Sequence, residues 1–197
     1  KVRKLNLDVL INNAAIGDSG SVCEIDVNKY RNVFETNVFS AIELTQEVLK
    51  DMISKREGRI IFLSSLAGRS PIPFLSPYCG SKFALEGIVP ALNMELKELN
   101  KVNIPVILIE PGAYSTGFNE KNISKQFEWM KVKSYFKNKI RKLEKNQFRY
   151  FKITSSSNFS SIVAQYIRAV EDIKPKERYI APTYQGVFIK AKNILTK

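Results

Sequence analysis

Three short apolar runs constrain the fold of this chain more than any other feature: "LDVLIN" from Leu7 to Asn12, "RIIFLS" from Arg59 to Ser64 and "IPVILIE" from Ile104 to Glu110. Each is rich in branched residues, continuous rather than alternating, and closed by small polar residues or by Pro-Gly. That is the pattern of strands buried on both faces of a parallel sheet. Between the runs the period changes. Val27, Tyr30, Phe34, Val38, Ala41, Leu44, Val48 and Met52 recur at three- and four-residue steps, predicting one long amphipathic helix from Asp26 to about Ile53 with Asp26 as its N-cap. Phe83, Leu85, Ile88, Val89, Leu92, Met94 and Leu96 predict a second helix up to Leu99, kinked at Pro90. Strands alternating with helices of this length predict βαβ units, hence an α/β, doubly wound parallel sheet with helices on both faces.

A chain of 197 residues, 44% of them hydrophobic, is long enough for one domain with a sizeable core, and residues 1–197 are read as one. Cys23 and Cys79 lack the paired spacing of a zinc site or a disulfide framework, which predicts free thiols and a cytoplasmic setting. The chain has no histidine, so its own residues cannot supply an imidazole base or a Ser-His-Asp triad. The net charge of +12 is spread along helices and loops with no helix-turn-helix, RNA-recognition or zinc-finger pattern to organise it. Nucleic acid is therefore not the expected partner.

In such a sheet, ligands bind at the carboxyl ends of the strands. Asn12, Asn13, Ala14 and Ala15 follow the first run, Ser64 and Ser65 the second, and Pro111, Gly112, Ser115 and Thr116 the third. Small and hydroxylated side chains suit the close approach of a flat, polar ligand to backbone. The second helix opens with "SPYCGSKFA", which sets Tyr78 and Lys82 one turn apart on the same face, toward the same crevice. An ammonium beside a phenol favours phenolate, so Lys82 is expected to pull the Tyr78 pKa down toward working pH and fit it for proton transfer at a carbonyl or hydroxyl oxygen. Ser65 is placed to hydrogen-bond that oxygen from the other side. Ser64 and Ser65 point to opposite faces of a strand, so only one can do so.

Asn12-Asn13-Ala14-Ala15, Asn37 in "FETNVFSA", Ser65 in "SSLAG", Tyr78-x-x-x-Lys82 and Pro111-Gly112-x-x-x-Thr116, in this order and spacing, resemble the short-chain dehydrogenase/reductase family across residues 7–118. The resemblance implies a Rossmann-type fold, NAD or NADP as cofactor, and hydride transfer between the nicotinamide and a substrate carbon. It implies Tyr78 as general acid/base, Lys82 as its tuner and ribose ligand, Ser65 as the group that orients the substrate oxygen, and Asn37 as holder of a water that relays protons to Lys82. Asn13, Ala14 and Ala15 would line the adenosine side, with Pro111, Gly112 and Thr116 at the nicotinamide. Ala15 stands where the family's motif has glycine, a change that matters only if the backbone there needs a positive φ.

The family's glycine-rich phosphate turn has no counterpart: no Gly-x-x-x-Gly-x-Gly or Gly-x-Gly-x-x-Gly occurs, and Gly17 and Gly20 follow the wrong strand. The expected reason is that the chain is the C-terminal part of a longer reductase and is inert alone; the rival reading is a non-catalytic binding or interaction module. Residues 117–152 are read as a substrate lid. Trp129, Val132, Phe136, Ile140 and Leu143 form an apolar stripe in one basic helix over 125–146, expected to close over the site, although such a helix can also lie on a membrane surface or meet an acidic partner. An apolar lid favours a lipophilic carbonyl or alcohol, as in retinol and hydroxysteroid dehydrogenases, with a 3-oxoacyl-carrier-protein reductase as the alternative. A further helix is expected over Ser157–Asp172, then a strand at "ERYIAP". The tail "GVFIKAKNILTK" is apolar enough to pack on the lid or a neighbouring subunit, and the family resemblance implies a homo-oligomer through the long helices from Asp26 and from Tyr78.

Overall fold

The computed structural model describes residues 6–195. Four parallel strands, β1 (Val9–Asn12), β2 (Arg59–Leu63), β3 (Val106–Pro111) and β4 (Arg178–Ala181), lie side by side in sequence order. β1 is joined to β2 by α1 (Val27–Phe34), a π-helical segment (Glu35–Phe39) and α2 (Ser40–Lys55). α3 (Ser76–Lys97) joins β2 to β3, and α4 (Phe118–Val132), α5 (Ile140–Thr154) and α6 (Ser160–Glu171) precede β4. α7 (Thr183–Leu195) follows it.

Alternation along each strand divides the core. Ile60, Phe62, Val106 and Leu108 face one way, against Val48, Leu49 and Met52 of α2 and Leu85, Val89 and Leu96 of α3. Ile61, Ile107 and Ile109 face the other way, where α6 lays Ala169, Ile162, Tyr166 and Val170 on the sheet. This is why the runs read as continuous: both faces are covered.

Asp26 caps α1 as expected, its carboxylate accepting from the Asn28 N–H. The helix that follows is not continuous. Over Glu35–Phe39 the ladder widens to π geometry, and Asn37 sits at the widened turn, buried. α3 runs through Pro90, which removes one donor from its ladder without ending it.

The expected single helix over 125–146 is corrected. α4 ends at Val132, residues 133–136 are non-helical, a 3₁₀ turn covers Lys137–Lys139, and α5 starts at Ile140. The apolar positions divide with it: Ile140 is buried and Phe136 half-buried, whereas Val132 points into water. Ile123, Phe127 and Met130 of α4 meet Ile140 and Phe151 of α5 in a third core that closes on Ala67, Leu75 and Cys79. The tail predicted to pack on the lid or a second subunit forms α7; its Thr196 and Lys197 lie outside the described residues.

Candidate active site

The loops at the carboxyl ends of β1, β2 and β3 open into one cavity of about 1120 Å³. Asn13, Ala14, Ala15, Ser65, Tyr78, Lys82, Pro111, Gly112 and Thr116 all line it. Its other walls are largely apolar, with Leu143, Tyr150 and Phe151 from α5 and Phe188 and Ile189 from α7. Asn37 is the exception among the expected site residues: it lies behind the wall.

Ser65 follows β2 with extended backbone, and its hydroxyl caps the short 3₁₀ turn after it by accepting from the Ala67 N–H. It donates to the Pro111 carbonyl at 3.3 Å and also hydrogen-bonds Tyr78. Ser64 points to the other side and donates to the Glu86 carboxylate. Alternation along the strand therefore separates the two serine hydroxyls as expected: both residues line the cavity, but only the Ser65 hydroxyl is directed to Tyr78.

Lys82 is buried, and its ammonium donates to the Leu63 carbonyl at 2.6 Å. It stands 5.6 Å from the centroid of the Tyr78 ring. Burial lowers the Lys82 pKa from 10.5 to about 8. Tyr78 departs from expectation. Burial pushes its phenol up to about 12, and the Ser65 hydrogen bond offsets only part of that rise. Desolvation of the phenolate outweighs a cation that is itself being driven toward its neutral form.

Asn37 is a clamp. Its Oδ1 accepts from the Ile16 N–H at 2.8 Å, and its Nδ2 donates to the Ile16 carbonyl and to the Ser81 hydroxyl. Ser81 in turn donates to the Tyr78 carbonyl at 2.7 Å. The loop after β1 is thus tied to the first turn of α3 through one buried amide. Ser81 was not singled out by the sequence; its position between Tyr78 and Lys82, one turn after the tyrosine, was the available signal. Ala15 is not among the positive-φ residues, so its Cβ is tolerated. Phe74 is among them, with φ 65°, and its ring meets Phe136 edge-on at 5.3 Å, joining the loop before α3 to the corner between α4 and α5.

Gln185 was also missed, because its partners are distant in sequence. Its Oε1 accepts from the Ala113 N–H and its Nε2 donates to the Thr154 carbonyl, both at 2.8 Å. One side chain thus joins the Pro111-Gly112 turn, the end of α5 and the start of α7. A Cβ on Gly112 would stand 2.0 Å from Gln185 Oε1, so a larger residue there must displace that side-chain amide. Asn13 accepts from the Tyr166 hydroxyl of α6 at 2.9 Å. Behind the site, buried Glu110 on β3 pairs with Arg69 and with Arg178, and Arg178 also reaches Glu86.

Residues 1–126 match the family model for short chain dehydrogenase. Retinol dehydrogenase 8 of Bos taurus is 38% identical over 115 residues, 58% of this chain and 36% of its own length. An NADPH-dependent 3-dehydrocapnine reductase of Ornithobacterium rhinotracheale is 38% identical over 119 residues, 58% of this chain and 41% of its own. The chain thus spans well under half the length of these curated relatives. A short chain dehydrogenase/reductase from Burkholderia phymatum, solved in complex with NAD, superimposes with a TM-score of 0.71 over 92% of this chain and 63% of its own, at 18% identity, a likeness of fold alone.

Proposed function

The chain belongs to the short-chain dehydrogenase family, and from that premise we propose that it carries the proton-transfer half of an oxidoreductase that interconverts a hydroxyl and a carbonyl, on a lipophilic alcohol or ketone, with NAD or NADP. The observation that carries the proposal is the meeting of Ser65, Tyr78 and Lys82 on the wall of one apolar cavity at the strand ends.

The residues present fit the nicotinamide side of such a cofactor. An ammonium has three donors, and Lys82 is seen to use one, on Leu63, which leaves donors for vicinal ribose hydroxyls. Asn13, Ala14 and Ala15 are small enough for close approach on one flank, with Pro111, Gly112 and Thr116 on the other. The bound nicotinamide would supply or accept the hydride. The glycine-rich diphosphate turn is not in this sequence. We therefore assign turnover to a longer polypeptide that supplies it, and the short coverage of the curated relatives supports this reading.

In the reductive direction Tyr78 gives its phenolic proton to the substrate oxygen as the carbonyl carbon is reduced. Ser65 hydrogen-bonds the same oxygen and fixes its position. Lys82 stabilises the resulting phenolate, and Asn37, its amide committed to Ile16 and Ser81, holds the Tyr78 turn of α3 in place. In the oxidative direction the proton path reverses. Supporting a lipophilic substrate are the apolar walls from α5 and α7 and the name of the bovine relative. The exposed Phe83 and Met94 of α3 support a homo-oligomer, and we place the protein in the cytoplasm.

The test is nicotinamide absorbance, followed during incubation of the intact protein with long-chain and cyclic alcohols and ketones. Turnover with these, slower or absent with sugars, supports the reading, and preference for sugars overturns the substrate class. Consumption of an acyl-carrier-protein thioester in preference to free lipophilic ketones would favour the carrier-linked alternative instead.

A further inference from the structure

Between residues 117 and 152 the chain carries nine lysines and two arginines against three glutamates, eight of its net twelve positive charges. Among the described residues, Lys131–Glu144 is the only ion pair these cations make. The break between α4 and α5 gathers them: Lys131, Lys133, Lys137, Lys139, Arg141 and Lys142 are all exposed at that corner. Two apolar side chains stand out of the protein at the same place, Val132 at 81% exposure and Tyr135 at 85%.

The corner is held in shape. The Glu24 carboxylate accepts from the Ser134 hydroxyl and from the Tyr135 N–H, and Phe136 turns inward against Phe74. The backbone is therefore anchored while Val132 and Tyr135 project. Such a tip combines the two halves of an interfacial anchor, apolar side chains that enter at headgroup depth and cations that meet anionic lipid. Either alone is marginal, and together they hold a protein on a bilayer.

An acidic protein is the competing occupant, and the chemistry of the corner favours the bilayer. Nine of the eleven basic residues are lysines, point charges suited to a diffuse layer, whereas the planar fork of arginine suits fixed carboxylates. Val132 and Tyr135 project rather than line a groove, which suits insertion. Among the described residues no helix is long and apolar enough to cross a membrane.

We propose that the corner between α4 and α5 is a docking surface for an anionic bilayer, with Val132 and Tyr135 at headgroup level and the surrounding lysines in the lipid charge. The surface does not depend on the reaction proposed above. If both hold, α5, whose Leu143 and Phe151 wall the cavity, sits beside the phase in which a lipophilic substrate dissolves.

Co-sedimentation of the intact protein with vesicles tests this without turnover. Vesicles of phosphatidylcholine with phosphatidylserine should bind it, less as salt rises, and pure phosphatidylcholine should bind it weakly or not at all. Lys133→Glu/Lys137→Glu/Lys139→Glu should weaken binding at least about tenfold. Val132→Ser/Tyr135→Ser should weaken it about tenfold with an unchanged thermal midpoint, since both side chains are exposed. If the serine pair does lower the midpoint, the charge reversal decides alone. Equal binding by parent and charge-reversed protein overturns the proposal. So does failure to bind anionic vesicles, including the case in which a soluble acidic carrier protein is captured instead.

Discussion

The Lys82 ammonium stands 5.6 Å from the centroid of the Tyr78 ring, yet its hydrogen bond goes to the Leu63 carbonyl and not to the phenol. The two groups are neighbours in one buried site, and burial acts on them in opposite directions: it raises Tyr78 to about 12 and lowers Lys82 to about 8. Each is driven toward its neutral form.

A pH dependence of stability follows from Lys82. Below about pH 8 the ammonium is charged in both the folded and the unfolded chain, and the fold carries the full cost of burying it. Between 8 and 10.5 the unfolded chain holds a proton that the folded chain has lost, so stability rises with pH. Above 10 Tyr78 reverses the slope, because the unfolded phenol ionises there while the folded one holds its proton to about 12. Lys82→Met should remove the rise and stabilise the protein at neutral pH by about 2 kcal/mol, from an upper limit of about 3 less the orphaned Leu63 carbonyl. Denaturant midpoints measured across this range check both points. Destabilisation by the methionine would mean that Lys82 is not buried at a cost.

Gly112 and Gln185 should behave as a pair. A methyl at Gly112 must expel the Gln185 amide from the Ala113 N–H and the Thr154 carbonyl. Gly112→Ala should therefore cost about 1–3 kcal/mol by thermal unfolding. The same substitution in a Gln185→Ala background should cost less than half as much, because the space is then open. Additive losses would show that the contact is not the source of the strain.

Arg178 is the shared counter-charge of Glu86 and Glu110, and Glu110 is fully buried. Burial, with Glu86 close by, pushes the Glu110 carboxyl up, and the two arginines hold it back. Removing Arg178 leaves the buried Glu110 carboxylate with only the longer Arg69 contact, so Arg178→Met should destabilise by about 2–4 kcal/mol. Adding Glu110→Gln should recover part of that loss. If the second change adds its own loss instead, Arg178 is not compensating Glu110.

The serines at the end of β2 should separate function from stability. Ser64→Ala removes the donor to Glu86 and should lower the thermal midpoint while leaving turnover by the intact protein largely unchanged. Ser65→Ala should do the reverse, with turnover falling about 100-fold or more. Equal effects on activity would remove the assignment of the substrate oxygen to Ser65.

Where a signal is local, the sequence carries it. Continuous apolar runs placed β1 to β3, and period-3.6 patterns placed α2, α3 and α6. Strand-end position, helical spacing and family order brought together Ser65, Tyr78, Lys82 and the Pro111-Gly112 turn. What escaped depends on contacts between distant segments. Gln185 bridges α7 to Ala113 with no local pattern to mark it, and Asn37, marked by its motif, acts through Ile16 and Ser81, contacts that the motif does not show. The break between α4 and α5 escaped for a related reason. A stripe from Trp129 to Leu143 keeps helical spacing through residues whose backbone is turned aside at Ser134 and Tyr135, held there by Glu24. The direction of the Tyr78 shift was misjudged because sequence shows the neighbouring charge but not the depth of burial.

The most direct test of the account is the rate of nicotinamide oxidation or reduction by the intact protein with a lipophilic ketone or alcohol, compared between the parent and Tyr78→Phe. The phenylalanine keeps the ring and its packing and removes only the hydroxyl. If Tyr78 is the general acid/base, the rate should fall about 100-fold or more, with nicotinamide binding little changed. A Tyr78→Phe protein that turns over at the parent rate, or an intact protein that exchanges hydride with no alcohol or ketone, would contradict it.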